Sequence, residues 1–295
     1  MPPVFTFYEK FKKEIKHLSI LLILLVVLQI VFNLMSAIFY RSMQWMNIYA
    51  YEGIVLFLIT ILSTGFVLLL GKKTMPIPWE KEQFQWNFSF KEILRTVCMM
   101  VGISLTFSIF FNLIQTILGI SFTESVLGQS NDALYVLYSL LTAIVIAPVL
   151  EELFFRGFVL QRLRSYDLKF AIVFSGLCFG LMHMNFLQGT MHIFTGILLA
   201  IVCIRNESIL FPILCHMFYN TIMCIGSYVS NSFVLGLISL ILWLMAIYGW
   251  ICFVKELKQK EIDLNFDLLK IACKQVGMIV FMLLFILFSF LSISF

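Results

Sequence analysis

Runs of about 18 or more apolar residues recur along this chain, separated by short segments in which the charged residues collect. A run of that length crosses a hydrocarbon layer of about 30 Å when coiled into a helix, and it carries neither the alternation of a half-buried strand nor the polar stripe of a surface helix. Nine spans can be marked: Leu18 to Tyr40, Gly53 to Gly71, Leu94 to Ile120, Ala133 to about Phe154, Phe170 to Met184, Met191 to Ile204, Ile209 to Tyr228, Phe233 to Val254, and Gln275 to Phe295. The fifth and sixth fall short of the roughly 20 residues a crossing needs. The expected fold is all-α, a polytopic transmembrane helix bundle of about eight or nine spans. Residues 1–254 would form a multi-pass membrane domain. Residues 255–295 would add a basic cytoplasmic loop and one extra span. No internal repeat or low-complexity linker marks a second domain.

Charge orients these spans. With the N-terminus cytoplasmic, every one of the 20 basic residues except Arg41 falls on the inner side. The inner clusters are Lys10 to Lys16, Lys72 to Arg95, Arg156 to Lys169, Arg205, and Lys255 to Lys274. That asymmetry is the positive-inside pattern of a plasma-membrane protein. It also favours keeping the two short spans separate, since removing one would put the Lys255 to Lys274 cluster outside. Trp45, Trp79, Trp86 and Trp250 lie near span ends, as an aromatic belt would. The stretch from Trp79 to Glu92 mixes aromatic and charged residues and is expected to lie along the inner interface.

Composition then limits function. Of the 295 residues 61% are hydrophobic and 12% charged, and the mean hydropathy is +1.01. Soluble domains are about 45–50% apolar, so lipid is the solvent here. The formal charge of +4 belongs to the membrane flanks and does not imply a nucleic acid partner. The N-terminal basic segment resembles the start of a signal peptide, but the run after it is too long for a cleavable core and should remain as an anchor. The seven cysteines, Cys98, Cys178, Cys203, Cys215, Cys224, Cys252 and Cys273, fall mostly within apolar runs and form no CxxC pair, so they read as small hydrophobes.

A charged side chain at bilayer depth costs about 2.5–3.5 kcal/mol on insertion scales, so each one must be paired, turned inward or functional. Few qualify: Glu151, Glu152 and Arg156 in the fourth span, His183 in the fifth, His192 at the outer end of the sixth and His216 in the seventh. Adjacent glutamates on a helix project about 100° apart. Arg156 lies four residues after Glu152, the spacing of a helical ion pair, which leaves Glu151 the freer carboxylate. Pro148 upstream should clash with the carbonyl four residues back and expose backbone polarity beside the site. Phe179 shares a face with His183 at i,i+4, as His216 does with Asn220. His17, in the basic N-terminal segment, and His192, near the outer interface, read as structural residues.

The set EELFFR from Glu151, FGLMH from Phe179 and HMFYN from His216, in that order on successive apolar segments, resembles the EExxxR, FxxxH and HxxxN motifs of the CPBP family. That family comprises type II CAAX prenyl endopeptidases and bacteriocin-processing or bacteriocin-immunity membrane proteins, also called the Abi family. The resemblance covers roughly residues 137–230. It implies a glutamate-dependent endopeptidase working without cofactor or metal in a membrane cavity open to the cytoplasmic side. Glu151 and His183 would activate water. His216 and Asn220 would hold the oxyanion, with Glu152, Arg156 and Phe179 in support. A carboxylate withdrawn from water becomes a better base, and each pre-aimed donor in a dry site contributes about 3–4 kcal/mol. The implied partner is a peptide or protein with an apolar or lipidated segment, in the cell membrane.

Three other functions fit less well. A noncatalytic immunity or binding protein on the same fold would not need Glu151, both histidines and Asn220 intact. A proton-coupled transporter should show matching interrupted helices in two halves. A zinc protease should carry HExxH, which is missing, although Glu151, His183 and His216 are metal-ligating residue types. One geometric tension remains in the linear count. Glu151 lies near the inner end of its span, whereas His183 stands some 21 Å along its helix from Lys169 at 1.5 Å per residue. The two depths meet if the fourth helix continues past the bilayer through Arg164.

Overall fold

The computed structural model describes residues 4–42, 46–75, 84–122, 130–257 and 265–294. Trp45, Trp79, Lys81, Lys258 and Lys260, with part of the expected interfacial segment, lie outside them. Ten helices follow one another: α1 Val4–Tyr40, α2 Ile48–Thr74, α3 Phe90–Leu118, α4 Ala133–Leu163, α5 Leu168–Leu181, α6 Phe186–Asn206, α7 Leu210–Ile225, α8 Ser232–Leu257, α9 Phe266–Cys273 and α10 Val276–Leu291. The chain is an all-α multi-pass membrane protein. Among the described residues seven helices are long and apolar enough to cross a bilayer, or eight if α9 and α10, bent by 77°, count as one broken span. The sixth expected span lengthens into the 21-residue α6, whereas the fifth is the 14-residue α5, shorter than the roughly 20 residues of a usual crossing. A two-residue antiparallel bridge, Ser121–Phe122 (β1) with Ile293–Ser294 (β2), ties the end of α3 to the end of α10.

Local chemistry sets the helix ends. Asn47, Asp132, Asp167, Asn185 and Asn265 each accept a hydrogen bond from a backbone N–H of the helix they open. Ser89 and Glu92 form a reciprocal capping box on α3. Gly119 ends that helix at φ 65°, a left-handed conformation glycine adopts without a Cβ clash.

Side chains then fix which ends share a side. Arg162 at the end of α4 donates from Nε and Nη2 to the two carboxylate oxygens of Glu14 in α1, at 2.7 and 2.8 Å. Phe11, Tyr166 and Phe170 stack edge-on beside that pair. Asn87 bonds the Asn206 carbonyl and Ser208 the Gln85 carbonyl, joining the start of α3 to the end of α6. Along α5, Gly176 and Gly180 lie against α6. A Cβ on Gly176 would sit 2.6 Å from the Ile197 nitrogen, and one on Gly180 would overlap the Gly189 carbonyl and Ile193. This GxxxG face lets two backbones touch, the usual way apolar helices associate where lipid supplies no hydrophobic driving force.

Replacing Gly180 with Leu should therefore separate α5 from α6 and cut the yield of monodisperse protein severalfold. Gly236→Leu should leave it unchanged, because a Cβ there meets nothing within 4 Å. Size-exclusion profiles of the two variants in detergent make the comparison.

Candidate active site

Helix α4 carries the first motif, and its backbone is not uniformly α. Residues Thr142–Ile146 and Leu153–Leu160 are π-helical, a winding in which an N–H reaches five residues back. The Ala147 N–H bonds the Thr142 carbonyl in this way. The next donor would be Pro148, which has no N–H, so the Ala143 carbonyl loses its helical partner. Asn220 of α7 supplies one, donating from Nδ2 at 2.7 Å. Proline does expose backbone polarity here as its position implied. The wide turn moves the exposed carbonyl from the fourth residue back to the fifth.

One turn on, Arg156 donates from Nη1 to Glu152 Oε1 at 2.9 Å, with both side chains fully buried. Its Nη2 donates to the Gly196 carbonyl at 2.8 Å, and its guanidinium lies 4.5 Å over the Phe179 ring. Gly196 has to be small, since a Cβ would lie 2.9 Å from that ring and 3.2 Å from Nη2. The same Glu152 Oε1 accepts from His216 Nδ1 at 3.0 Å. With Nδ1 committed, His216 turns Nε2 toward Glu151 Oε2, 4.0 Å away. The adjacent glutamates thus occupy different surroundings: Glu152 is enclosed by two cations or donors, and Glu151, its side chain 27% exposed, borders open space.

That space is a cavity of about 640 Å³ walled by Glu151 and His183 together with Gln29, Thr60, Asn185 and Gln188. A smaller recess of about 170 Å³ between Glu151, His183, Phe155 and Phe179 continues it. His183 donates from Nδ1 to the Phe179 carbonyl at 2.9 Å, because a carbonyl can only accept, and so keeps an Nε2 lone pair. His192 repeats the arrangement on the Gln188 carbonyl at 2.6 Å. The two imidazoles stack with centroids 3.8 Å apart. Phe179 presents ring contacts to His183, His192 and His216 alike. Among the described residues no three His, Cys, Asp or Glu side chains converge as a metal site would require.

All seven expected site residues therefore meet around the Phe179 ring and the cavity, and α4 runs on through Leu163, which brings Glu151 and His183 to one level. His216 and Asn220 stand beside the cavity with one bond each already made, to Glu152 and to Ala143. His192 is not the peripheral residue its sequence position suggested: the turn after His183 folds it back onto that ring. Gln29 and Thr60 were not singled out in the sequence. Gln29 alone left a trace there, as an amide in the middle of an apolar run. The mouth of the cavity is built from the second half of α1, the first halves of α2 and α4, the α5–α6 turn and the end of α10, remote from the basic helix ends.

Comparison with known families gives a match of residues 133–222 to type II CAAX prenyl endopeptidases of the Rce1-like kind. The matched segment contains all three motifs. No curated protein and no solved structure matches the chain.

The buried pair makes a stability prediction. Glu152→Gln leaves the Arg156 charge without its counter-ion and should lower unfolding free energy by about 3–5 kcal/mol. The double variant Glu152→Gln/Arg156→Met should recover part of that loss, as partners in a double-mutant cycle do. Thermal unfolding of the purified proteins reads both.

Proposed function

With residues 133–222 as a type II CAAX prenyl endopeptidase-like segment, we propose that this chain is an intramembrane glutamate-dependent endopeptidase, its N-terminus cytoplasmic. The observation that carries this reading is the division between the glutamates. Glu151 faces the cavity together with the free Nε2 side of His183, while Glu152 is bound by Arg156 and His216. In this mechanism a water between Glu151 and His183 loses a proton to Glu151 as its oxygen attacks the peptide carbonyl carbon. The tetrahedral oxyanion accepts from the second N–H of the Asn220 amide, whose first N–H holds Ala143, and from His216 Nε2 in the protonated ring. The C–N bond then breaks as the amine takes the proton from Glu151, leaving a carboxylic acid and an amine. The substrate is a membrane-associated peptide with an apolar or lipidated segment. Peptide maturation or bacteriocin self-immunity is the role that suits it, because the Phe- and Ile-rich composition, with Lys favoured over Arg, has a bacterial cast.

Glu151→Gln keeps size and hydrogen bonding but removes the base. It should lower cleavage per folded molecule by at least about 10²-fold, the scale of general-base catalysis, with unfolding nearly unchanged. Cleavage near the wild-type rate in Glu151→Gln would remove Glu151 from the mechanism.

The roles given to the histidines are holding the water and supporting the oxyanion, so wild-type activity should survive phenanthroline. Loss on chelation that zinc alone restores would replace the glutamate mechanism with a metal one.

A further inference from the structure

The direction from which a substrate arrives is written into which helix ends wall the cavity. Below Glu151, on the side of the basic segments, the described residues close the bundle. Phe154, Phe158, Leu160 and Leu163 of α4 are fully buried there against α1, and Gly71 of α2 packs on Phe158 and Leu21. The Glu14–Arg162 ion pair and the Phe11, Tyr166 and Phe170 rings seal that end. Above Glu151 the lining comes from Gln29, Thr60, Ser139, Asn185, Gln188 and Ser292, every one of them from the opposite half of its element. A second cavity of about 560 Å³ shares Leu56 with the first and runs between α1 and α2 past Asn33, Ser36 and Glu52 to Tyr40 and Ile48, where those helices end and begin.

The basic residues mark the closed side. Lys10 to Lys16 open α1, Lys72 and Lys73 end α2, Lys91 and Arg95 open α3, Arg162 and Arg164 end α4, Arg205 ends α6 and Lys255 ends α8. The described contacts hold these ends together: Glu14 to Arg162, Gly71 beside Leu21 and Phe158, and Asn87 to Asn206. A cytoplasmic mouth and cytoplasmic basic loops, both expected from sequence, exclude one another in this fold. Positive charge on the short flanks of spans decides orientation, so the basic side is the inner one.

We infer that the active-site cavity opens to the extracytoplasmic side, and that the substrate is the outer part of an exported or membrane-anchored peptide, not a cytosolic prenylated C-terminus. This rests on the endopeptidase reading for the word substrate, and on geometry and charge alone for the direction. Apart from Glu151 and His183, the polar side chains lining the cavity are uncharged amides and hydroxyls. Such groups bond the backbone of an extended, uncharged peptide segment.

Single cysteines introduced in a Cys273→Ser background test it, since the other six native cysteines are buried. A charged, membrane-impermeant maleimide applied to intact cells should label Thr60→Cys and Gln188→Cys at least tenfold faster than Lys169→Cys. In inverted vesicles the order should reverse. Labelling of Lys169→Cys from outside, or of the two cavity cysteines only in inverted vesicles, overturns the inference. Labelling needs no turnover, so it is read independently of whether Glu151→Gln abolishes cleavage. A reporter peptide anchored with its cleavable segment outside should be cut and the same segment displayed in the cytosol spared. The reverse preference also overturns the inference.

Discussion

The rest of the site depends on a buried cation that has nowhere else to go. Arg156 is fully enclosed, and its two terminal nitrogens are spent on Glu152 and on the Gly196 carbonyl while its face lies on Phe179. Taking a guanidinium and a carboxylate out of water is costly, and their attraction offsets that only in a fixed geometry. The fixed geometry is what the surroundings use. It joins α4 to α6 through a carbonyl that only a glycine can bring so close. It orients the Phe179 ring against three imidazoles. It also holds Glu152 Oε1 where His216 Nδ1 can donate to it, so that the other ring nitrogen faces Glu151. One ion pair thus sets apart the surroundings of two adjacent carboxylates.

Part of this could be read before any coordinates. The i,i+4 spacing of Glu152 and Arg156 is a local property of a helix, as is the divergence of Glu151 from Glu152, and both appear as the spacing required. The run of α4 beyond the hydrophobic stretch followed from the need to bring Glu151 level with His183. The contacts that escaped are long-range or depend on a turn. His216 meets Glu152 across 64 residues, and nothing in either helix alone announces it. His192 reaches His183 because the chain reverses between α5 and α6, which makes a residue of the expected outer interface part of the site. The number of crossings was harder to read than their existence, because α5 packs along α6 through glycines yet is shorter than the roughly 20 residues of a usual crossing.

The charged residues of the site all lie between residues 133 and 222, the segment that resembles the prenyl endopeptidases. Much of the cavity wall does not. Gln29 comes from α1, Thr60 and Thr64 from α2, and Phe288, Leu291 and Ser292 from α10. The charged groups and much of the wall they face therefore belong to different parts of the chain. The α10 segment has its own anchor, with Ser292 accepting from Asn185 and Ile293–Ser294 pairing with Ser121–Phe122. Exchange of the flanking helices could retune what fits without disturbing the ion pair.

The wide turn at Thr142–Ile146 has a further meaning for how this helix can vary. A π turn holds about one residue more than an α turn of the same height. Rewinding this turn to ordinary α hydrogen bonding with the same number of residues would rotate Tyr135 and Ser139, which pack beside α2 and meet Tyr228, by roughly 100° relative to Glu151. The Ala143 carbonyl would withdraw into the helix and Asn220 would lose its anchor. The wide turn is thus a phase setting between the end of the helix that packs on α2 and the end that carries Glu151, and rewinding it would be a change of aim.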